Sequence, residues 1–440
     1  MKVPFSRKSS ASRSLSEQRA GLSRRSLLGV AGVGALAVGA AGGGYAVGRE
    51  PEATVVVDPD AAPVAFDGAH QAGIVTPAQD RLYFVALDMT SEKRSDLISL
   101  LQDWTSAARQ MAQGNDVGEY GAVAGSPYAP PEDTGEALGL PPSGLTITIG
   151  FGRSLFADAD GRTRFELGGR LPEKLKALPS FAGDRLDAAI SDGDIAIQAC
   201  ANDPQVAVHA VRNLVRIAFG RASVRYSQMG FGRTSSTSTA QVTARNLFGF
   251  KDGTANVKFE DKKDVDDFVW VHEDDGPPWL VGGSYLVSRK IDMRIESWDR
   301  EPLAGQENII GRTKGSGGPA SGGDEFATID FDAKGDDGKP AFDVKSHVRL
   351  AHPDFNKGAK LLRRGYNFVD GSNGLGQLSA GLYFLAYQRD PEKQFVQIQG
   401  SLAGLQSDLL NEYIVHVGSG LFACPPGVGA KGYWGEGLFA

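Results

Sequence analysis

The sequence predicts an α+β protein built from two tandem ferredoxin-like domains, and three observations lead to this prediction. Short runs of alternating or continuous apolar residues predict strands. Longer segments repeat apolar residues at the helical period. In the first half these segments follow the order β-α-β-β-α-β, which is the ferredoxin-like pattern, and the second half repeats the scheme.

The first half contains the clearest elements. Residues 80–89 predict a strand and residues 91–112 predict an amphipathic helix, with Ser91 placed to cap its start. A loop rich in glycine and proline follows over 113–143. The remaining predicted elements are strands over 145–151, 194–201 and 222–231, and a helix over 203–218 with Pro204 in its first turn.

The second half repeats this pattern of apolar and polar residues, because "GLYFLAYQRD" resembles "RLYFVALDM" of the first strand. Its predicted elements are strands over 279–291, 381–390 and 418–424, helices near 292–300 and over 391–405, and a glycine-rich loop over 305–340. We therefore place the first domain at residues 79–240 and the second at residues 241–440.

The first fifty residues predict a targeting segment. Arg24 and Arg25 precede a weakly apolar run rich in alanine and glycine, as in a signal peptide of the Tat route. The alternative is a membrane anchor, which so many glycines disfavour. We interpret residues 1–50 as a Tat signal peptide and residues 51–78 as a flexible leader.

Composition narrows the classes of function. The 440 residues are 41% hydrophobic and 22% charged, which is typical of a soluble globular protein. Residues 1–49 carry eight Lys or Arg and one Glu, a charge of +7, so the remainder carries −14 of the net −7. An acidic body argues against nucleic acid as a partner. The two cysteines, Cys200 and Cys424, could be paired or free.

Few side chains suggest chemistry on their own. Phosphate-binding loops, "GxSxG" and "HExxH" are absent from the sequence. Among the histidines, His416 has a packed position between two valines, whereas His347 in "SHVRLAHPDF" is a candidate metal ligand. Arg363, in the largely apolar "KLLRRGYNF", is costly to bury without an anionic partner.

Three separated stretches carry a family resemblance: "GFKDGTAN", "SHVRLAHP…LLRRGYNF" and "NEYIVHVGSGLFACPPG". Together they resemble the dye-decolourising peroxidases, and most closely the Tat-exported branch that includes the deferrochelatase/peroxidase proteins. "IQACANDPQVAVHAVRNL" and "ENIIGRTK" also fit, so the resemblance covers nearly all of the chain after the signal. Val257 departs from the proline of many relatives.

The resemblance implies a fold of two ferredoxin-like domains, a haem b cofactor and peroxidase activity. Such an enzyme reduces H2O2 and oxidises dyes, phenolics or other organic or metal-ion reductants through a ferryl intermediate. The partners expected are H2O2, a reductant and, during export, the Tat translocase, with a homo-oligomer also open. The resemblance implies an extracytoplasmic protein with no stable membrane span after processing.

Residue by residue, the resemblance assigns the site. His347 corresponds to the axial ligand of the haem iron, and Asp252 and Arg363 correspond to the catalytic pair on the opposite side. Glu412 corresponds to the acid that accepts a hydrogen bond from the ligand imidazole, with Asp408 as the alternative. Further haem contacts are implied for Gly253, Thr254, Asn256, Arg312 and Arg363.

Two questions stay open at this point. Tyr366, Tyr383, Tyr387 and Trp270 are candidate surface relays for electrons from large dyes, but core aromatics in strands are the alternative. A haem-handling role, in which the chain passes on haem or its iron, is the alternative to an enzyme. An acid and an arginine above the iron favour the enzyme, because a carrier needs neither.

Overall fold

The computed structural model describes residues 62–440 except 336, 405 and 406. The predicted signal peptide and residues 51–61 of the predicted leader lie outside the described residues. The strands are β1 (Arg81–Met89), β2 (Thr146–Gly152), β3 (Ile195–Ala201), β4 (Ala222–Arg233), β5 (Ser284–Met293), β6 (Leu362–Arg363), β7 (Tyr366–Ser372), β8 (Leu378–Gln388) and β9 (Ile414–Cys424). The α-helices are α1 (Arg94–Ala112), α2 (Arg153–Phe156), α3 (Pro204–Ile217), α4 (Lys262–Phe268), α5 (Ile295–Trp298), α6 (Leu303–Ile310), α7 (His347–Ala351) and α8 (Gln397–Leu402).

The two halves of the chain have the same strand order. In the first half the order across the sheet is β2-β3-β1-β4, with every neighbouring pair antiparallel. In the second half it is β9-β5-β8-β7, again antiparallel. Each order places the first strand of the unit between its third and fourth strands, so the predicted tandem ferredoxin-like fold is confirmed.

The edges of the two units pair with each other. β2 pairs with β9 through Phe151 and Ala423, and β4 pairs with β7 through Phe231 and Asn367. The β5–β8 pairing closes eight strands into a ring. The short β6 pairs with the end of β8, next to the part of β8 that pairs with β7. The closed ring therefore has an interior that is separate from the outer faces covered by helices.

Alternation along β3 shows the two environments. Ile195, Ile197 and Ala199 pack with the buried residues of α1 and α3. Ala196 and Cys200, on the opposite face, belong to the cluster inside the ring. Successive side chains of a strand point to opposite faces, so a strand buried on both sides contributes to both cores. Cys200 and Cys424 are both free and buried.

The segment before β1 is part of the core. Ile74 is fully buried in the ring interior. The Gln71 side chain donates to the carbonyl oxygen of Ile149 at 3.0 Å and accepts from its N–H at 2.9 Å. The prediction of a flexible leader is therefore wrong for residues 62–78, because the sheet binds them by burial and side-chain hydrogen bonds.

The structure corrects several element boundaries. α1 begins at Arg94 after Lys93, and the Ser91 hydroxyl donates to Asp96 instead of capping the helix. β5 begins only at Ser284. Part of the predicted glycine-rich loop forms α6, and β7 and α7 were not predicted. None of the helices among the described residues is long and apolar enough to cross a membrane.

The aromatic residues considered as surface relays are core residues. Tyr366 and Tyr387 are fully buried, Tyr383 is 2% exposed and Trp270 is 7% exposed. The surface-relay interpretation of these four is wrong, because the three tyrosines and Trp270 pack in the same buried cluster.

Candidate haem site

A cavity of about 260 Å³ lies on the outer face of the second unit. β5, β8 and β9 form its floor, and α6, α7, α8 and the loop at 246–255 contribute to its walls. The walls are largely apolar and include Phe250, Met293, Ile310, Leu382, Phe384, Leu402 and Leu410. His347, Asp252 and Arg363 all line this one cavity, although 111 residues separate the last two in sequence.

His347 is the first residue of α7, and its imidazole is held by Asp408. Nδ1 of His347 lies 2.5 Å from Oδ2 of Asp408, whose side chain is only 2% exposed. An ionised carboxylate accepts hydrogen bonds, so Nδ1 carries the proton and Nε2 keeps its lone pair for a metal. Burial alone would lower the pKa of His347, but the charge and hydrogen bond of Asp408 outweigh it and raise the pKa.

Asp408 occupies the place predicted for Glu412. Its other oxygen, Oδ1, accepts from the N–H of Leu410 at 2.9 Å, at the start of the 3₁₀ turn Leu409–Glu412. The Glu412 side chain lies at the end of that turn. The assignment of Glu412 is therefore wrong, and the alternative, Asp408, is the acid that contacts the imidazole.

Asp252 and Arg363 form an ion pair in the cavity wall. Nη1 of Arg363 donates to Oδ1 of Asp252 at 2.6 Å, and the side chains of Arg363 and Asp252 are 28% and 14% exposed. Oδ2 of Asp252 accepts a longer hydrogen bond from Asn246, at 3.4 Å. Asp252 and Arg363 line the same cavity as His347, so the charges of the pair act on the pKa of its imidazole.

Asn256 fixes the position of Arg363 from behind the wall. Its side-chain amide donates to the carbonyl oxygen of Arg363 at 2.9 Å and accepts from the N–H of Arg363 at 2.7 Å. It also donates to the carbonyl oxygen of Ser236 at 3.1 Å. Asn256 was predicted to contact the cofactor, but the structure places its side chain on the backbone of Arg363.

Gly253 lines the cavity, and a contact behind it explains the glycine. Its φ of +88° is in the left-handed region. A Cβ there would lie 2.9 Å from the Cα of Ser235. A Cβ on Gly249, in the same loop, would lie 2.8 Å from Cε of Lys314.

Thr254 and Arg312 meet at Glu325, which the sequence did not single out. The Thr254 hydroxyl donates to Oε1 of Glu325 at 3.1 Å, and Arg312 donates to the Glu325 carbonyl oxygen at 2.9 Å. Lys251 forms an ion pair with the Glu325 carboxylate. Burial would raise the pKa of Glu325, but hydrogen bonds from Lys251, Thr243 and Thr254 lower it.

Arg289 and His416 complete the floor, and sequence reasoning missed both. Arg289 is fully buried and forms an ion pair with Asp184. Its Nε donates to Nδ1 of His416 at 3.1 Å. Burial, and then the charge of Arg289, lower the pKa of His416 to about 3, so this imidazole is neutral with its proton on Nε2. An arginine within the predicted apolar strand "WLVGGSYLVSRKI" was the signal that could have found this pair.

The donor set fits haem b. The walls of the cavity are largely apolar, as a flat macrocycle requires, and His347 has a free Nε2 available for iron. The cavity also presents cationic and hydrogen-bonding groups for the two haem carboxylates, from Arg312, Arg363 and the Arg289–His416 pair. Among the described residues, no cluster of three His, Cys, Asp or Glu side chains could hold a bare metal ion.

Comparison with known proteins gives the family. The Dyp-type peroxidase N-terminal and C-terminal family models match residues 71–232 and 243–429. A deferrochelatase of Escherichia coli K12 is 38% identical over 424 residues, covering 94% of this chain and 96% of the relative. The chain therefore belongs to the Dyp-type peroxidase family.

Solved structures agree with this membership. DtpA from Streptomyces lividans, determined as an oxyferrous/water mixed complex, is 37% identical with a TM-score of 0.77, covering 87% of this chain and 99% of DtpA. A DyP-type peroxidase from Cellulomonas bogoriensis is 38% identical with a TM-score of 0.75 and the same coverage. The predicted resemblance is confirmed, and the protein is a haem b peroxidase that uses H2O2 and a reductant.

Proposed function

We propose that this protein is an exported haem b peroxidase in which His347 binds the iron and Asp252 and Arg363 act on H2O2. One observation carries the proposal. A single apolar cavity is lined by an imidazole bound to a buried carboxylate and by a separate carboxylate–guanidinium pair. Peroxidase sites need such convergent groups, which have little use in a structural domain.

Asp408 sets the donor strength of the imidazole. Because its Oδ2 accepts the Nδ1 proton, Nε2 of His347 gains basicity. Haem would supply the redox chemistry when bound to His347, and a more basic imidazole would favour cleavage of the peroxide bond. The second bond of Asp408, to the N–H of Leu410, fixes the carboxylate so that the imidazole is held in one orientation.

Asp252 is the group that moves the proton of the peroxide. Its carboxylate, which is paired with Arg363, can accept a proton from one oxygen of the peroxide and return it to the other. Arg363 cannot act as a base, since its guanidinium stays protonated. Its role is to stabilise the negative charge that develops on the leaving oxygen, and two hydrogen bonds between its backbone and the Asn256 side chain keep it in position.

Replacement of His347 by alanine tests the proposal. We expect His347→Ala to purify with little haem, whereas His272→Ala, at a partly exposed histidine outside the cavity, should keep a full complement. Haem content is measured as the ratio of Soret to protein absorbance. Wild-type haem content together with wild-type reactivity towards H2O2 in His347→Ala would show that the assignment is wrong.

Export through the Tat translocase is the second part of the proposal. Its support is the sequence pattern alone: Arg24 and Arg25 before a weakly apolar run. Replacing both by lysine should retain the protein in the cytoplasm, and fractionation with immunodetection measures this. Equal export of the Arg24→Lys/Arg25→Lys variant would contradict it. Native-mass measurement would determine whether the protein is a homo-oligomer.

Haem handling is the alternative function, and the deferrochelatase relative favours it. The two functions predict different spectra after ferric protein is mixed with one equivalent of H2O2. A rapid shift of the Soret band, reversed by an organic or metal-ion reductant, supports the peroxidase. An unchanged band with slow release of iron-free porphyrin supports haem handling.

A further inference from the structure

The loop that carries Asp252 lies against the segment that follows β4, and Lys258 joins the two. Nζ of Lys258 donates to the carbonyl oxygen and to the hydroxyl of Ser236, at 2.6 and 2.7 Å. It also donates to the carbonyl oxygen of Gly253 at 3.3 Å. Gly253 directly follows Asp252 in the chain, so the lysine holds the backbone beside the acid that we assign to the peroxide.

The carbonyl oxygen of Ser236 is a shared anchor. Ser236 is buried, and the Asn256 side chain donates to the same carbonyl oxygen at 3.1 Å. The Asn256 side chain also forms both hydrogen bonds to the backbone of Arg363. One buried carbonyl group therefore anchors Arg363 through Asn256 and the neighbouring loop through Lys258.

The number of protons on the lysine matches the number of its acceptors. A charged ammonium has three N–H donors, and Lys258 contacts three oxygen atoms of Ser236 and Gly253. A neutral amine has only two N–H donors, so one of these oxygens then loses its partner. The contact with Gly253 is the longest of the three, and it is therefore the one that we expect to be lost.

The surroundings of the lysine bring this loss close to neutral pH. Burial, and then the charge of Arg363, lower the pKa of Lys258 to about 8. The charges of Glu260 and Glu325 act in the opposite direction without outweighing these two causes. In the folded protein the side chain is therefore charged below about pH 8 and neutral well above it, whereas an ordinary lysine stays charged to about pH 10.5.

A different group holds the other side of the loop. The Thr254 hydroxyl donates to Oε1 of Glu325 at 3.1 Å, and Lys251 forms an ion pair with the same carboxylate. These contacts do not involve Lys258. Loss of its proton should therefore shift the loop without detaching it from the cavity wall.

We propose that Lys258 is a positioning residue whose charged form holds the loop of Asp252 in place for the reaction with H2O2, an inference that rests on the proposed peroxidase function. Lys258 is not one of the described residues that line the cavity, so it acts through the backbone of Gly253. When the ammonium gives a proton to solvent, the carbonyl oxygen of Gly253 is released. The reaction with H2O2 then slows as the pH rises through the titration of this lysine.

Hydrogen–deuterium exchange of the resting protein, without H2O2, tests the positioning. The N–H of Asp252 donates to the carbonyl oxygen of Ala244 at 3.0 Å, and the N–H of Asn256 donates to that of Gly253 at 3.1 Å. Near neutral pH we expect these two amides to exchange about 3–10-fold faster in Lys258→Met than in wild type. Lys262→Met, at an exposed lysine, should match wild type. Equal exchange in Lys258→Met and wild type would overturn the proposal even if the peroxidase function holds.

The effect on the reaction is measured by stopped flow, as the ratio of the rate constants of wild type and Lys258→Met with H2O2 per haem. This ratio cancels any alkaline change that both proteins share. We expect a ratio of about 10–100 well below pH 8 that falls to about one well above it, because a small displacement of a reacting group has an effect of this order. A ratio that does not change with pH would overturn the proposal. A wild type that does not react with H2O2 would instead overturn the peroxidase function, and the exchange result would still decide whether Lys258 holds the loop.

Discussion

Arg363 and Arg364 are consecutive in sequence and lie in two different regions of the molecule. The Arg363 side chain faces the outer cavity and pairs with Asp252 at 2.6 Å. The Arg364 side chain points into the closed ring, where its hydrogen-bond acceptors are neutral oxygens. Side chains alternate along an extended chain, so one step along it separates a charge in the cavity wall from a charge inside the ring.

The difference between the two arginines shows what burial does to the same functional group. The side chains of Arg363 and its partner Asp252 are 28% and 14% exposed, so removal of Arg363 leaves a carboxylate that water can still reach. Arg364 is fully buried, so its loss leaves Gln79 and Thr76 without their donor. We therefore expect one arginine to control the rate and the other to control stability.

The largest effect is expected for Arg363→Met. The variant should retain haem and fold normally, but react with H2O2 about 10²–10³-fold more slowly, because one preorganised charge at a developing anion contributes that much. Stopped-flow measurement of the Soret band checks this. An unchanged rate of reaction with H2O2, together with a large fall in the free energy of unfolding, would reverse the roles we assign to the two arginines.

The next effect is expected for Arg364→Met. Leaving a buried acceptor without its donor costs about 1–3 kcal/mol, so the free energy of unfolding should fall by this order. The rate of reaction with H2O2 in the folded fraction should stay within a few-fold of wild type. Urea unfolding and stopped-flow kinetics on the same preparation make the measurement, and unchanged stability would show that the interior charge is not held as described.

A smaller effect is expected for Asp408→Asn, with Glu412→Gln as the matched control. The asparagine amide is uncharged, so it accepts the hydrogen bond from Nδ1 of His347 more weakly than a carboxylate does. Changes to such hydrogen-bond partners typically cost about 10–100-fold in affinity for the metal, here the haem iron. Transfer of haem to apomyoglobin measures the difference. If Glu412→Gln loses haem faster than Asp408→Asn, the correction of the sequence assignment fails.

The smallest effect concerns Lys258, which contacts the carbonyl oxygen of Gly253 in the loop at 246–255. Its ammonium donates to the carbonyl oxygen of Ser236 at 2.6 Å, and burial, then the charge of Arg363, lower its pKa to about 8. Between pH 8 and its ordinary pKa of about 10.5 the unfolded chain binds more protons than the folded one, so this group makes stability rise with pH.

Replacement of Lys258 by methionine should remove this rise. Urea unfolding near neutral pH and again near the ordinary pKa of lysine measures it, as the change in the free energy of unfolding between the two conditions. Lys262→Met, at an exposed lysine of the same segment, should keep the wild-type change. An identical pH dependence in wild type and Lys258→Met would contradict the lowered pKa.

Much of the fold followed from local pattern. Alternation predicted β1, β2, β3, β4 and β8 to within a few residues, and apolar periodicity predicted α1 and α3. β7 was missed, because its second half is exposed and polar and lacks an alternating signal. The packing of residues 62–78 was also missed, since Gln71 and Ile74 find partners that are distant in sequence.

The sequence by itself determined the fold class and, through family motifs, His347, Asp252 and Arg363, because hydrophobic period and residue type are local properties. Only the tertiary structure decided that Asp408 and not Glu412 binds His347, and that Arg289 and His416 lie on the cavity floor. It also decided that Asn256 supports Arg363 and that Arg364 is buried with neutral acceptors at Thr76 and Gln79. These outcomes depend on which groups are buried next to each other in the folded chain. Because a buried charge or hydrogen-bond donor is costly without a partner, each such group pairs with an acceptor that the fold places beside it.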